Sequence, residues 1–211
     1  EKRGLSTIKK ALFIGVFLSI FQQITGINAV IYYASTIFQM SGYATASSAT
    51  LASIGVGLVN VIATIFSIRL LDQKGRRWLL LIGTAGMDFT LSFLALAFWT
   101  HWSFIEILSP ISLMAYVIFF AIGLGPVTWV VISEIFPLEL RGKAMAIATF
   151  ANWFCNYIVA LTFLDLINTF GKGETFALYA VVSLIAFIFI YKYIPETKGK
   201  SLDEIQNSFN N

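Results

Sequence analysis

Three carboxamides, Gln22, Gln23 and Asn28, stand close together inside an apolar stretch that runs from Ala11 to Phe38. A stretch of that length can cross a bilayer, and polar side chains at membrane depth are costly unless they face protein or a water-filled cavity. A carboxamide both donates and accepts hydrogen bonds without carrying charge, so a cluster of them suits a neutral ligand whose own groups also do both. On a regular helix at about 100° per residue, Gln23 and Asn28 lie roughly 140° apart and share no face. Gly26 between them offers a way round this. A helix loosened at Thr25-Gly26 turns both amides inward, and unwound backbone at that depth is tolerated only where it lines a cavity or is buried in protein. One amide alone is as readily interhelical glue as a site; three beside a glycine favour a site.

Other polar groups fall at matching depth. Asn60 lies midway along a second apolar stretch, after Gly55 and Gly57. In a fourth, Gly123-Leu124-Gly125-Pro126 precedes Trp129, and because proline removes a backbone hydrogen bond while the glycines permit another path, a second broken helix is expected there. An indole just after such a break can present a flat face and an N–H donor. In the fifth stretch Asn152 and Asn156 are four apart, hence on one face, with Trp153 beside them; Trp153 by itself reads as membrane packing. No Lys or Arg sits at mid-depth to hold an anion, and no carboxylate stands beside the amides to hold a cation. Hydroxyl groups on a ring whose C–H face stacks on an aromatic fit this inventory, which makes a neutral polyol the expected substrate. Asp88, about ten residues into the third stretch, reads as a structural side chain, inward-packed or protonated, rather than a proton carrier.

The elements that must position these groups are six apolar segments, 11–38, 47–71, 78–99, 105–136, 144–170 and 176–194, each long enough for a hydrocarbon core of about 30 Å. With 58% hydrophobic and 12% charged residues, the chain is a membrane protein and not a soluble domain. The net charge of +3 is spread over helix ends, which argues topology rather than nucleic-acid binding. Cys155 has no second thiol, and His101 lies in a short polar break, so neither a cysteine-based metal site nor a cofactor is expected. Lys2, Arg3, Lys9 and Lys10 precede the first segment, Lys74, Arg76 and Arg77 join the second to the third, Arg141 and Lys143 join the fourth to the fifth, and Lys198 and Lys200 follow the sixth; Lys172 is the basic residue of the opposite loops. The positive-inside rule then puts both termini in the cytoplasm. The organisation expected is a cytoplasmic lead-in over 1–10, a six-helix transmembrane domain over 11–194, and a cytoplasmic tail over 195–211 in which Leu202, Ile205 and Phe209 mark a short amphipathic helix. With no initiator Met and no signal-peptide pattern, the chain reads as cut from something longer.

Four signatures in order, Gln22-Gln23-x-x-Gly26-Ile27-Asn28-Ala29-x-x-Tyr32-Tyr33, Asp72-Gln73-Lys74-Gly75-Arg76-Arg77, Glu134-Ile135-Phe136-Pro137-Leu138-Glu139-Leu140-Arg141-Gly142 and Pro195-Glu196-Thr197-Lys198-Gly199, resemble the sugar porters of the major facilitator superfamily. The resemblance covers essentially the whole chain and corresponds to the C-terminal six-helix half of a twelve-helix, all-α fold. It implies that Gln22, Gln23, Asn28, Asn60, Trp129 and Asn152 contact a monosaccharide, a hexose or pentose. By the same resemblance Tyr32 and Tyr33 close the site from outside, and Asp72, Arg76, Arg77, Glu134 and Arg141 form a cytoplasmic charge network that latches two halves together. The partners implied are the sugar, an N-terminal six-helix half, the bilayer and protons. Many glucose facilitators of this family carry a glutamate where this chain has Ala121, which leans the reading toward a proton symporter over a facilitative uniporter. In the symporters it resembles, the proton-carrying aspartate belongs to the N-terminal half. A non-transporting sugar receptor of the same fold is the remaining alternative. An intramembrane enzyme would need a reactive constellation that the sequence lacks.

Overall fold

The computed structural model describes residues 2–209, with side chains from Thr7 onward; Glu1, Asn210, Asn211 and the side chains of Lys2 and Arg3 lie outside the described residues. Among the described residues all regular structure is helical: α1 (Lys2–Ile24), α2 (Ile27–Tyr32), α3 (Ala34–Met40), α4 (Ala46–Lys74), α5 (Arg76–Trp99), α6 (Ile105–Ile122), α7 (Leu124–Ile135), α8 (Leu138–Phe170), α9 (Lys172–Tyr193) and α10 (Leu202–Ser208). They make six membrane-long apolar spans, Thr7–Tyr32, Ala46–Lys74, Arg76–Trp99, Ile105–Ile135, Leu138–Phe170 and Lys172–Tyr193. Helix α1 begins inside the polar lead-in, and α8 begins at Leu138, so that Arg141 and Lys143 belong to a helix and not to a loop.

Two of the spans are interrupted. The first breaks at Thr25-Gly26, where Gly26 takes φ 96°, a left-handed conformation that costs glycine little and a residue with a Cβ much more. The carbonyl of Thr25, set free by the break, accepts instead from the hydroxyl of fully buried Tyr116, at 2.9 Å. The fourth span breaks at Gly123, between α6 and α7. Pro126 has no N–H to offer the carbonyl four residues earlier, and the Ser67 hydroxyl of α4 serves that Ile122 carbonyl at 3.2 Å. Helix α5 presses on this break through glycine: a Cβ on Gly83 would lie 2.7 Å from the Gly123 Cα and 2.8 Å from the Phe119 carbonyl oxygen. Polar backbone exposed by both breaks is thus satisfied from neighbouring helices, which is the condition for irregular backbone at membrane depth.

Helix α5 packs chiefly against α9 and α6, α1 against α8, and α4 against α6. The core these contacts enclose holds Leu18, Tyr116, Leu124, Val131 and Phe163. Burial is uneven. The first span buries 67% of its most apolar stretch, whereas α4 and α8 bury 17% and 28%, so these two helices carry the uncovered apolar face. Ile54, Leu58, Val61 and Ile65 of α4 and Phe150, Phe154, Tyr157 and Leu161 of α8 stand exposed on it. The tail helix α10 opens with a capping box between Ser201 and Glu204 and docks Ile205 against the end of α7.

Candidate functional site

The two breaks face each other across one cleft of about 310 Å³, lined by Gln22, Gln23, Asn28, Asn60, Trp129 and Asn152 together with Ile27, Ile31, Phe120, Gly125 and Trp153. No charged side chain of the described residues is in this wall. Gln22, on the last turn of α1, donates through Nε2 to the carbonyls of Leu124 at 2.7 Å and Gly125 at 2.8 Å, so one amide ties the first break to the second. Its Oε1 accepts from Asn152 Nδ2 at 2.6 Å, and that same nitrogen donates to the Ser19 carbonyl at 3.0 Å. Gln23 donates to Asn152 Oδ1 at 3.0 Å and accepts from Asn28 Nδ2 at 2.6 Å, across the loosened turn. Four amides from α1, α2 and α8 therefore form one continuous network. Gln22, Gln23 and Asn152 are buried; Asn28 is half-buried.

Much of this network's capacity is already spent. Both donors of Gln22 and both heavy atoms of Asn152 are engaged, while Asn28 keeps its oxygen and one N–H, and Gln23 one N–H. The Asn60 carboxamide and the Trp129 indole make no hydrogen bond to a described residue and are half-buried, open to the cleft. Trp153, which the sequence suggests is packing, lines the cleft and is 62% exposed. Asn156, its neighbour on the same face, is buried and donates at 3.5 Å to the hydroxyl of Tyr32.

The tyrosine pair is split. Tyr33 is pinned to α8, its hydroxyl donating to the Ala160 carbonyl at 3.0 Å and its ring stacked 5.2 Å from Phe163, whereas Tyr32 is 55% exposed. Neither lines the cleft.

At the end of the bundle where α4 turns into α5, the charged residues sort differently from what their sequence proximity suggests. Arg76 pairs not with Asp72 but with Glu134 of α7, at 2.8 Å from Nη2 and with Nε 3.2 Å from both carboxylate oxygens. The Thr197 hydroxyl donates to the same carboxylate at 2.6 Å. Glu196, to which the sequence assigns no role beyond its motif, accepts from the backbone N–H groups of Arg76 and Arg77, the first two residues of α5, and from those of Thr197 and Lys198. A carboxylate there meets free amides and the positive end of the helix dipole. Its position directly after the last span was the signal. Arg77 donates to the Tyr191 carbonyl at 2.8 Å, and Arg141 to the Phe136 carbonyl at 3.3 Å. Asp72 is exposed, and neither it nor Arg141 has an ion-pair partner among the described residues. The Arg76 guanidinium is divided between the Glu134 carboxylate of α7 and the Leu71 carbonyl of α4, at 3.2 Å from the latter, and Asp72 accepts from neither side of it.

Asp88 lies outside the cleft; Ser92 of the same helix donates to it at 3.5 Å. No group of His, Cys, Asp and Glu among the described residues is arranged to hold a metal ion.

The family model described as "Sugar (and other) transporter" matches residues 2–209. Over 207 residues the chain is 40% identical to sugar transporter ERD6-like 6 of Arabidopsis thaliana, covering 94% of this chain and 42% of that protein. It is 43% identical over 201 residues to the D-xylose-proton symporter of Escherichia coli, with 92% and 40% covered, and 42% identical over 201 residues to the facilitated trehalose transporter Tret1 of Bombyx mori, with 93% and 39% covered. Among solved structures, a double-tryptophan mutant of XylE superposes with a TM-score of 0.87 at 40% identity over 95% of this chain and 43% of that one. The proton:xylose symporter XylE bound to 6-bromo-6-deoxy-D-glucose gives 0.84 at 41%, over 94% and 42%. The chain spans about 40% of the length of these relatives.

Proposed function

The chain belongs to the sugar transporter family of multi-pass membrane proteins, and from that premise we propose that it is the C-terminal half of a proton-coupled monosaccharide transporter working by alternating access. The observation that carries this reading is the cleft: a charge-free wall in which four amides from three helices are bonded into one network, with Asn60 and Trp129 left open beside them. A neutral wall rich in two-way hydrogen-bonding groups recognises hydroxyls, and an ionic ligand would leave its charge unpaired there. Gln22 and Asn152 hold the two breaks in register, while Asn28, Asn60, Gln23 and the Trp129 N–H have the free capacity that sugar hydroxyls would take. The exposed faces of Trp129 and Trp153 suit the C–H side of the ring.

The cleft opens between α4 and α8, the two helices with the uncovered apolar face, and an N-terminal six-helix unit seated there would complete both the site and the packing. Asp72 and Arg141 remain available to that unit, and the Arg76–Glu134–Thr197 cluster with Glu196 forms the rigid inner end against which it would lock and release. Tyr32, exposed and within reach of Asn156, is the mobile member of the outer gate; Tyr33 is its fixed base. The basic residues at the helix ends support an orientation with both termini in the cytoplasm. With no titratable group in the cleft wall, the proton belongs to the second unit.

The experiment is uptake of labelled xylose and glucose by the whole protein in proteoliposomes, with and without an inward proton gradient. Accumulation above equilibrium that collapses with the gradient supports symport. Equilibration indifferent to the gradient would make the protein a facilitator, and binding without uptake a receptor; the absence of binding would overturn the proposal.

A further inference from the structure

A second cavity, about 410 Å³, opens at the level where α1 enters the apolar layer and α9 leaves it, between those helix ends and the tail helix α10. Lys10, Arg77 and Lys192 line it, and no carboxylate of the described residues does. The Lys10 ammonium donates to the Phe209 carbonyl at 2.7 Å and keeps two donors. Arg77 lies over the Tyr191 ring at 5.4 Å, and its buried Nε has no hydrogen-bond partner. Glu196, whose carboxylate accepts from the backbone N–H of Arg77, is already engaged by four backbone N–H donors. Three cations around a cavity with an unanswered guanidinium N–H call for an anion. From the cavity an aromatic track runs along α1 and α9: Phe13, Phe17, Phe189 and Tyr193 lie with neighbouring rings 4.5 to 6.0 Å apart, and Phe13 and Phe17 are 43% and 39% exposed.

We propose that this cavity holds the phosphate of an anionic phospholipid in the leaflet on the side of the chain termini, with an acyl chain lying on the Phe13–Phe17 track. A free phosphate or soluble anion would use the cations alone; the adjoining exposed apolar track is what selects a lipid. Basic pockets between transmembrane helix ends are a recurrent means of holding anionic headgroups. The bound lipid would clamp α10 to α1 and α9, because Lys10 already bonds the end of the tail helix. This site is separate from the amide cleft and shares no lining residue with it.

The test is native mass spectrometry of the whole protein, solubilised and titrated with phosphatidylglycerol or phosphatidylcholine of matched chains. Phosphatidylglycerol is expected to be retained preferentially, and the Lys10→Gln/Lys192→Gln double variant to lose about tenfold or more of that retention while phosphatidylcholine binding stays as it was. Lys9→Gln, one residue away and outside the cavity, should leave both unchanged. Should the double variant fail to fold, Lys192→Gln alone, at an exposed side chain, is expected to show the smaller loss. Undiminished retention in the folded variants, an equal loss in Lys9→Gln, or displacement of the lipid by millimolar glycerol phosphate would each overturn the proposal.

Discussion

Asn152 is the joint of the amide network, and its removal separates a network that binds from one that merely packs. Asn152→Ala deletes three bonds at once: the acceptor for Gln23 Nε2 at 3.0 Å, the donor to Gln22 Oε1 at 2.6 Å and the donor to the Ser19 carbonyl at 3.0 Å. Each stranded buried group costs about 1–3 kcal/mol if nothing replaces the bond. The cleft is open enough for water to reach Gln23, so the losses do not sum, and about 1–3 kcal/mol in sugar binding, about 5- to 150-fold in Kd, is the expected net effect. Asn60→Ala should weaken sugar binding to a similar degree without touching the network, because Asn60's side chain bonds no described residue. The assay is isothermal titration with xylose or glucose on the whole protein, run as a double-mutant cycle with Gln23→Ala. Residues in direct hydrogen-bond contact should couple by about 0.5–3 kcal/mol. Additivity of Gln23→Ala and Asn152→Ala, or wild-type affinity in both Asn152→Ala and Asn60→Ala, would refute the reasoning from network to recognition.

At the α6–α7 break, Ser67→Ala should lower thermal stability by about 1 kcal/mol because it strands the Ile122 carbonyl, and far less in a Pro126→Ala background, where a helical N–H returns to that carbonyl; equal losses in both backgrounds would break the assignment. Arg76→Gln should cut transport while sugar affinity stays near that of the parent, since the Arg76–Glu134 pair lies at the end of the bundle where α4 meets α5 and not in the cleft; transport and affinity measured side by side would expose a binding role if both fell together. In the tail, the Ser201 backbone N–H and then its hydroxyl hold the Glu204 carboxyl below the ordinary glutamate range. That stabilisation of α10 is fully present above the unfolded glutamate pKa of about 4.3 and is lost as pH falls through the lower folded value. Protection factors of the α10 amides, with the intrinsic pH dependence of exchange divided out, should fall on acidification in the parent, and Glu204→Gln should flatten that fall.

The six spans and both helix breaks were legible in the sequence, because a bilayer imposes one length and one polarity on every crossing segment, and because glycine and proline act on the backbone at their own positions. Amides at matching depths on separate spans pointed to one cleft for the same reason: depth is counted along the chain. Partner choice is not. That Gln22 reaches Leu124 and Gly125, that Ser67 serves the carbonyl Pro126 leaves bare, and that Tyr116 serves Thr25 depend on which helices touch and at what rotation. Asp72 shows the limit most plainly. Its sequence neighbours Arg76 and Arg77 were the obvious cations, yet helix α5 starts along a new axis at Gly75, carrying Arg76 to Glu134 and presenting two backbone N–H groups to Glu196 from the far end of the last span. The place of Trp153 in the cleft wall has a related reason: only the packing of α8 against α1 decides which arc of that helix meets the cleft. Hydropathy and breaks are properties of a segment, whereas the direction of a side chain around its helix, and the group it meets there, belong to the bundle as a whole.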